Sequence, residues 1–168
     1  MDERAVDDLP RQARTVLEAA RARGLAPDVR EFPAGTRTAA DAARAVGCSV
    51  AQIVKSLVFV ADDRPVLVLT SGANLVDMDK VAKHVGASGV RKADADEARA
   101  ATGYAIGGTP PFGHVQPLEV LIDQDLARLD TVWAAAGTPR HVFALFSGDL
   151  VRATGGRVRD VAQDGRSR

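Results

Sequence analysis

The chain is predicted to fold as one α+β domain, with a curved, largely mixed β-sheet flanked by helices. Three observations carry this. At 168 residues, 46% apolar and 26% charged, the chain has the composition of an ordinary globular protein and the length for one core. Strand-like apolar runs gather in its middle and end, with helical stretches interspersed irregularly, unlike a regular βαβ alternation. No internal repeat, low-complexity segment or linker divides residues 1–168.

Charge and cysteine content narrow the setting. Lys and Arg total 22 and Asp and Glu total 22, so no global positive field exists to hold nucleic acid by counterion release. Any such contact must be local. Cys48 is the lone cysteine, which forbids an intramolecular disulfide and fits the cytosol. No apolar run approaches membrane-spanning length and the N-terminus has no signal-like apolar region. A soluble cytoplasmic protein is expected, with no membrane contact.

The elements follow in chain order. Leu9 to Arg23 places Val16, Leu17 and Ala20 at helical spacing, with Gly24 as the stop. Val29 to Phe32 alternates as a short strand ended by Pro33. Thr38 caps a helix to Val46, with Asp41 completing a capping box and Gly47 ending it. Ser49 to Gln52 reads as a capped turn. Ile53 to Val60 and Val66 to Thr70 are two apolar runs about an Asp62–Pro65 turn, a hairpin expected to be central because both faces look apolar.

Ser71 to Asn74 is a loop. Asp77 caps a helix to Val85, stopped by Gly86. Val90 to Lys92 is a short strand, and Asp94 caps a helix over Ala95 to Ala101. Leu118 to Asp123 is a strand, with a short turn or helix at Gln124 to Ala127. Strands are expected at Thr131 to Ala135 and His141 to Leu145, about a Gly137–Pro139 turn. Ser147 is expected to cap a last helix to Thr154, halted by Gly155-Gly156, before a polar tail.

The chemistry-bearing features are few. Residues 101–114 hold four of the fifteen glycines and two of the eight prolines. Gly107 and Gly108 permit close backbone approach, and Pro110 and Pro111 stiffen the loop on their C-terminal side. Such a loop suits a carbonyl or phosphate oxygen, or is simply a turn between elements. Lys55 sits inside an apolar run. It is either a cation at the mouth of a pocket or an edge lysine that discourages strand aggregation.

Other chemistries find little support. His84, His114 and His141 show no metal-ligand spacing and Cys48 has no ligand neighbour, so no metal is expected. His114 could touch a ligand; His141 is expected to border solvent and His84 to lie on a helix surface. Ser71, Ser147, Thr70 and Cys48 lie in no nucleophile elbow. Asp123 and Asp125 are paired carboxylates that a strand-end turn explains. GxGxxG and P-loop fingerprints are absent.

Four motifs in order resemble the YbaK/ProX family of free-standing aminoacyl-tRNA deacylases, related to the editing domain of bacterial prolyl-tRNA synthetase. They are Gln52-Ile53-Val54-Lys55-Ser56-Leu57; Val76-Asp77-Met78-Asp79-Lys80-Val81-Ala82; residues 102–113 with Gly107-Gly108-Thr109-Pro110-Pro111; and Ser147-Gly148-Asp149-Leu150. The match runs from about Arg30 to Val161, a domain core of about residues 28–162. The resemblance implies the barrel-like YbaK fold and hydrolysis of the ester on mischarged tRNA, mostly tRNA(Pro), without metal, cofactor or covalent enzyme intermediate. Water, helped by the substrate's ribose hydroxyl, is the attacking group in this family.

It makes Lys55 the residue that meets the terminal phosphate and adenosine, and Gly107 and Gly108 the holders of the aminoacyl carbonyl. Phe32 falls near an aromatic at the pocket wall. Thr109, Pro110 and Phe112 shape the loop, and Ser56, Ser71, Gly72 and Ser147 fall at the substrate's rim. The implied partners are the acceptor end of aminoacyl-tRNA and prolyl-tRNA synthetase. One departure stands out. Relatives acting on Cys-tRNA(Pro) carry polar side chains where this chain has Ala135 and Val142, which points to a small aliphatic residue such as alanine or 2-aminobutyrate. The competing classes are a non-catalytic module that holds aminoacyl-tRNA or a nucleotide, and an interaction domain for a synthetase. Nothing in the spacing alone shows that Lys55 and the glycine loop meet.

Overall fold

A computed structural model describes residues 3–32 and 38–165. Pro33, expected to end the first strand, and the last three residues of the tail lie outside that range.

After a short helix α1 (Glu3–Asp7), α2 (Arg11–Ala22) buries Ala13, Val16, Leu17 and Ala20. That is the i, i+3, i+4, i+7 stripe of an amphipathic helix. Strand β1 (Val29–Glu31) leads to α3 (Ala39–Val46) and a 3-10 turn at Val50–Gln52. Strands β2 (Val54–Ala61) and β3 (Arg64–Ser71) form the hairpin. Asp62 and Asp63 alone make its turn, both with positive φ. Helix α4 (Met78–Val85), strand β4 (Val90–Lys92) and helix α5 (Ala95–Thr102) precede the glycine-proline loop. Then come β5 (Glu119–Asp123), α6 (Gln124–Ala127), β6 (Thr131–Ala135), β7 (His141–Phe146), α7 (Ser147–Thr154) and β8 (Arg157–Arg159).

Helix ends follow local chemistry. Thr38 and Asp41 exchange side-chain and backbone bonds at 3.1 and 3.2 Å, a reciprocal cap. Asp94 and Glu97 do the same at 2.8 and 3.0 Å. The Asp77 carboxylate accepts from the Asp79 and Lys80 amides. Ser147 differs from the expectation. It lies inside α7, Phe146 takes the cap position, and the Ser147 hydroxyl donates to the Leu129 carbonyl. An acceptor 18 residues away in sequence outcompeted the local amides.

Five strands form a mixed sheet in the order β4-β2-β3-β5-β8, antiparallel from β4 to β3 and parallel from β3 to β8. Three form an antiparallel sheet in the order β1-β7-β6. A single parallel bridge, Ile53 to Trp133, stitches β6 to the start of β2. The α+β class and mixed sheet are as expected. The barrel-like closure is not: among the described residues β1, β4 and β8 each have a strand neighbour on one side only.

Three apolar clusters hold these layers. The largest lies between the sheets, where Leu67, Leu69, Val120 and Ile122 meet Val132, Ala134, Phe143 and Leu145, with α2 against the same mass. Removing a buried leucine of this kind to alanine costs about 2–5 kcal/mol. The outer face of the five-stranded sheet packs Phe59, Val66, Val68 and Leu121 against Val81 and Val85 of α4. Helix α3 covers the third cluster, Phe32, Ala42, Ala43, Ile53 and Val142. Strand β3 is buried from Val66 to Ser71, which fits a strand with neighbours on both edges and covered faces.

Candidate functional site

Lys55 is the second residue of β2 and pairs across the sheet with Thr70. Alternation puts it on the same face as Ile53 and Leu57. Its ammonium donates to the main-chain carbonyl of Asn74 at 2.6 Å. That carbonyl belongs to the Ser71–Asn74 turn, closed by Asn74 N–H on Ser71 O at 3.0 Å.

The turn is held from several sides. Ser71 is buried, and its hydroxyl donates to Ala51 O at 2.7 Å and accepts from Ala73 N–H. Gly72 N–H donates to Ile53 O at 2.7 Å. A Cβ on Gly72 would sit 2.5 Å from Val50 O and 2.9 Å from the Ala39 Cβ, so only glycine fits. Below the turn, the Asp123 carboxylate is 0% exposed. It accepts from Thr70 Oγ1, Ser71 N–H and Asn74 Nδ2 on one oxygen and from Asp125 N–H on the other. Asn74 Nδ2 also donates to Asp125 Oδ2 at 2.8 Å.

The glycine-proline loop is built from its buried ends. Thr102 Oγ1 donates to Ala98 O and accepts from Tyr104 N–H. Thr109, also buried, donates to Ala105 O at 3.2 Å. Pro110 is buried, and its carbonyl bonds His114 Nε2 at 2.8 Å. Phe112 is a core anchor, 2% exposed, against Phe143 at 5.9 Å and beneath the Arg23 guanidinium at 5.1 Å.

Gly107 and Gly108 play different parts. Gly107 is exposed at φ 90°. Gly108 is buried against the β6–β7 turn, where a Cβ would lie 2.8 Å from Thr138 Cα. The Gly108 N–H donates to Ala105 O at 3.0 Å. The tight Ala105–Gly108 turn thus satisfies the Gly108 amide internally, so the two glycines expected to hold the carbonyl do not present equivalent N–H groups.

Strand β6 relates the two segments. Ile53 bridges Trp133 in parallel, so Lys55 and Ala135 each come two residues later, along the same direction and on the same side. Gly137 and Thr138, which seat Gly108, come just beyond Ala135. Ala135 pairs with Val142, and Val142 packs with Phe32 and Ile53. Ala135, Val142, Phe32 and the Gly107–Gly108 turn therefore gather at one end of the three-stranded sheet, and the Ile53–Trp133 bridge joins that sheet to the start of β2, the strand that carries Lys55.

Two expected rim residues do not join them. Ser56 alternates to the opposite face from Lys55, on the side of Val54 and Val58, and its hydroxyl is buried with no hydrogen-bond partner among the described residues. Ser147 lies past the far end of β7 from His141, bonded to Leu129 and Asp130 carbonyls. Phe32 is 4% exposed, a wall seen from inside the core.

The histidines are all engaged. His141, expected at solvent, is 7% exposed, with Nδ1 2.6 Å from Thr138 Oγ1. Burial lowers its pKa below the ordinary 6.5, opposed by Glu31. Burial likewise lowers the pKa of His114, against the raising effect of its bond to Pro110 O. His84 bonds Asp160 O at 2.8 Å. Burial raises the Cys48 thiol, which disfavours the nucleophilic thiolate. No group of three His, Cys, Asp or Glu side chains among the described residues could hold a metal ion. No helix among them is long and apolar enough to cross a membrane.

Residues 33–153 match the family described as the aminoacyl-tRNA editing domain. The chain belongs to that family. This editing domain is 46% identical to a solved structure described as a candidate trans-editing enzyme for prolyl tRNA synthetase. That likeness covers 93% of this chain and 99% of the other, with a TM-score of 0.88. It is 32% identical over 139 residues to the uncharacterized protein YwhH of Bacillus subtilis, covering 82% of this chain and 88% of that one. It is 36% identical over 90 residues to the proline–tRNA ligase of Ligilactobacillus salivarius, 54% of this chain but 16% of the ligase. The relationship indicated by the Lys55 and glycine-loop motifs is therefore shown, and with it an editing role.

Asn74, read from sequence only as a loop residue, and Asp123, read only as part of a strand-end turn, prove to hold the turn whose carbonyl meets Lys55. A signal was present: Asp123 directly follows the apolar run Val120-Leu121-Ile122, where an acid is costly unless it is fully hydrogen-bonded.

Proposed function

We propose that this editing domain is a trans-editing deacylase that hydrolyses the ester of mischarged tRNA, with tRNA(Pro) bearing alanine or 2-aminobutyrate as its substrate. The observation that supports the reading is the pairing of Ala135 with Val142 next to the β6–β7 turn that seats Gly108, on the sheet bridged to the strand of Lys55. Lys55 meets the phosphate of the terminal nucleotide as a point cation. The Gly107 peptide N–H faces the developing oxyanion, and Gly108 lets the loop lie against Thr138 without a side chain between them. A water molecule adds to the ester carbonyl, the bond from carbonyl carbon to ribose oxygen breaks, and that oxygen takes the proton. The free amino acid and uncharged tRNA leave. An aminoacyl ester is already reactive, so positioning and backbone polarisation suffice.

The apolar pair Ala135 and Val142 offers no hydroxyl or carboxylate to a thiol-bearing side chain, which favours a small aliphatic one. The test is a deacylation panel of Ala-, 2-aminobutyryl-, Cys- and Pro-tRNA(Pro). The expected order puts alanine and 2-aminobutyrate first. Faster release of cysteine refutes the specificity, and protection of every ester identifies a binding module instead.

A further inference from the structure

We propose that Asp123 and Asn74 form a positioning relay that sets the direction of the Lys55 ammonium, although neither touches the substrate. The inference rests on the reading of Lys55 as the cation of the editing site.

Lys55, Thr70 and Asp123 lie on three adjacent strands, β2, β3 and β5. Thr70 bridges them, pairing with Lys55 and donating its hydroxyl to Asp123 at 3.0 Å. All three side chains therefore sit on one face. A wholly buried carboxylate is expensive and is kept only when its lone pairs are filled. Here four donors fill them, and three come from the Thr70–Asn74 segment. The carboxylate is thus the template on which that turn is shaped.

Asn74 carries the shape to Lys55. Its side-chain amide lies 2.8 Å from both Asp123 Oδ2 and Asp125 Oδ2. Two carboxylate acceptors fix which way the amide points, because only the NH2 end can face both. Side chain and main-chain N–H together hold the Asn74 Cα in place, and the carbonyl attached to that Cα takes Lys55 Nζ at 2.6 Å. A simple strand-end turn would need only Asp125 N–H on Asp123. The three further donors have no part in that turn.

Asn74→Ala tests the relay, because it removes the amide and leaves the carbonyl. Two readouts are taken on the full chain. The first is trace acetylation with acetic anhydride, read at each lysine by mass spectrometry, with Lys80, Lys83 and Lys92 as internal references. Lys55 labelling is expected to rise about fivefold relative to them, the factor that one net hydrogen bond represents. The second is deacylation of Ala-tRNA(Pro), where the loss is expected mainly as a raised KM with kcat nearly unchanged, because the phosphate that Lys55 meets is the same in ground and transition state. Asp123→Asn should act in the same direction, since an amide cannot accept on both oxygen positions. If Asp123→Asn fails to fold, Asn74→Ala still decides the matter. Unchanged Lys55 labelling in Asn74→Ala overturns the relay even if activity falls. Raised labelling in a protein whose wild type hydrolyses no ester sustains the relay and refutes the deacylase reading instead.

Discussion

Gly108→Ala separates a packing role from a mere turn preference. The added Cβ would sit 2.8 Å from Thr138 Cα, 2.9 Å from Thr138 C and 3.0 Å from Gly137 O. Ordinary contact begins at 3.4 Å, so something must move by about 0.6 Å. All three atoms are backbone, and the turn behind them cannot retreat. Gly137 is itself wedged at φ 95°, where a Cβ would be 2.6 Å from Gln12 O of α2. The displacement therefore falls on the Ala105–Gly108 turn. Overpacking of this kind costs about 1–3 kcal/mol, and a shift approaching 1 Å at a reacting group costs up to about 100-fold in rate.

The assay is urea denaturation beside single-turnover deacylation of Ala-tRNA(Pro). Gly86→Ala is the control, since Gly86 has φ 68° and no atom within 4 Å of a built Cβ. It should lose about 1 kcal/mol to backbone strain and no turnover. A Gly108→Ala protein with the wild-type urea midpoint and the wild-type rate would refute the close packing of loop and turn.

Two further outcomes are expected. The His114 pKa is depressed by burial below the ordinary 6.5, so the unfolded chain protonates first as pH falls. Its stabilising contribution is complete above about pH 6.5 and is lost as pH drops through the lower folded value. Urea midpoints from about pH 8 to about pH 5 should fall less steeply in His114→Gln, and an identical slope contradicts this assignment. Asp94→Ala removes one half of a reciprocal cap and should lower stability by about 1 kcal/mol in the same urea titration, with deacylation unaffected.

Much of the fold was legible in local chemistry, because caps and stops are short-range. Thr38 with Asp41, Asp77, Asp94 and the glycines after each helix mark their elements unaided. Long-range choices were not legible. The parallel pairing of β3 with β5 and of β5 with β8 depends on crossovers that periodicity does not encode. Strand β8 is three residues long and mostly charged, so it carries no apolar signal. Ser147 looked like a cap because its competing acceptor, Leu129 O, is distant in sequence.

At the site, Lys55 stood out because a charge inside an apolar run is costly. Asn74 did not, because its contribution is made through a main-chain carbonyl, which any residue possesses. Ser56 neighbours Lys55 in the motif, yet strand alternation turns it to the opposite face. The split between Gly107 and Gly108 needed coordinates, since two adjacent glycines look alike in sequence while one is exposed and one is wedged.

The central claim is that Lys55 acts on the substrate rather than on the fold. Single-turnover hydrolysis of Ala-tRNA(Pro) by wild type and by Lys55→Ala, each with its thermal melt, tests it most directly. At subsaturating concentrations, loss of one such charged contact should slow hydrolysis by about 10- to 150-fold, the factor that about 1.5–3 kcal/mol represents. The melt should move by no more than about 4 °C, the shift that 1 kcal/mol produces in a chain of this size. A Lys55→Ala protein that hydrolyses the ester at the wild-type rate would contradict the account and return Lys55 to the role of a strand-edge charge.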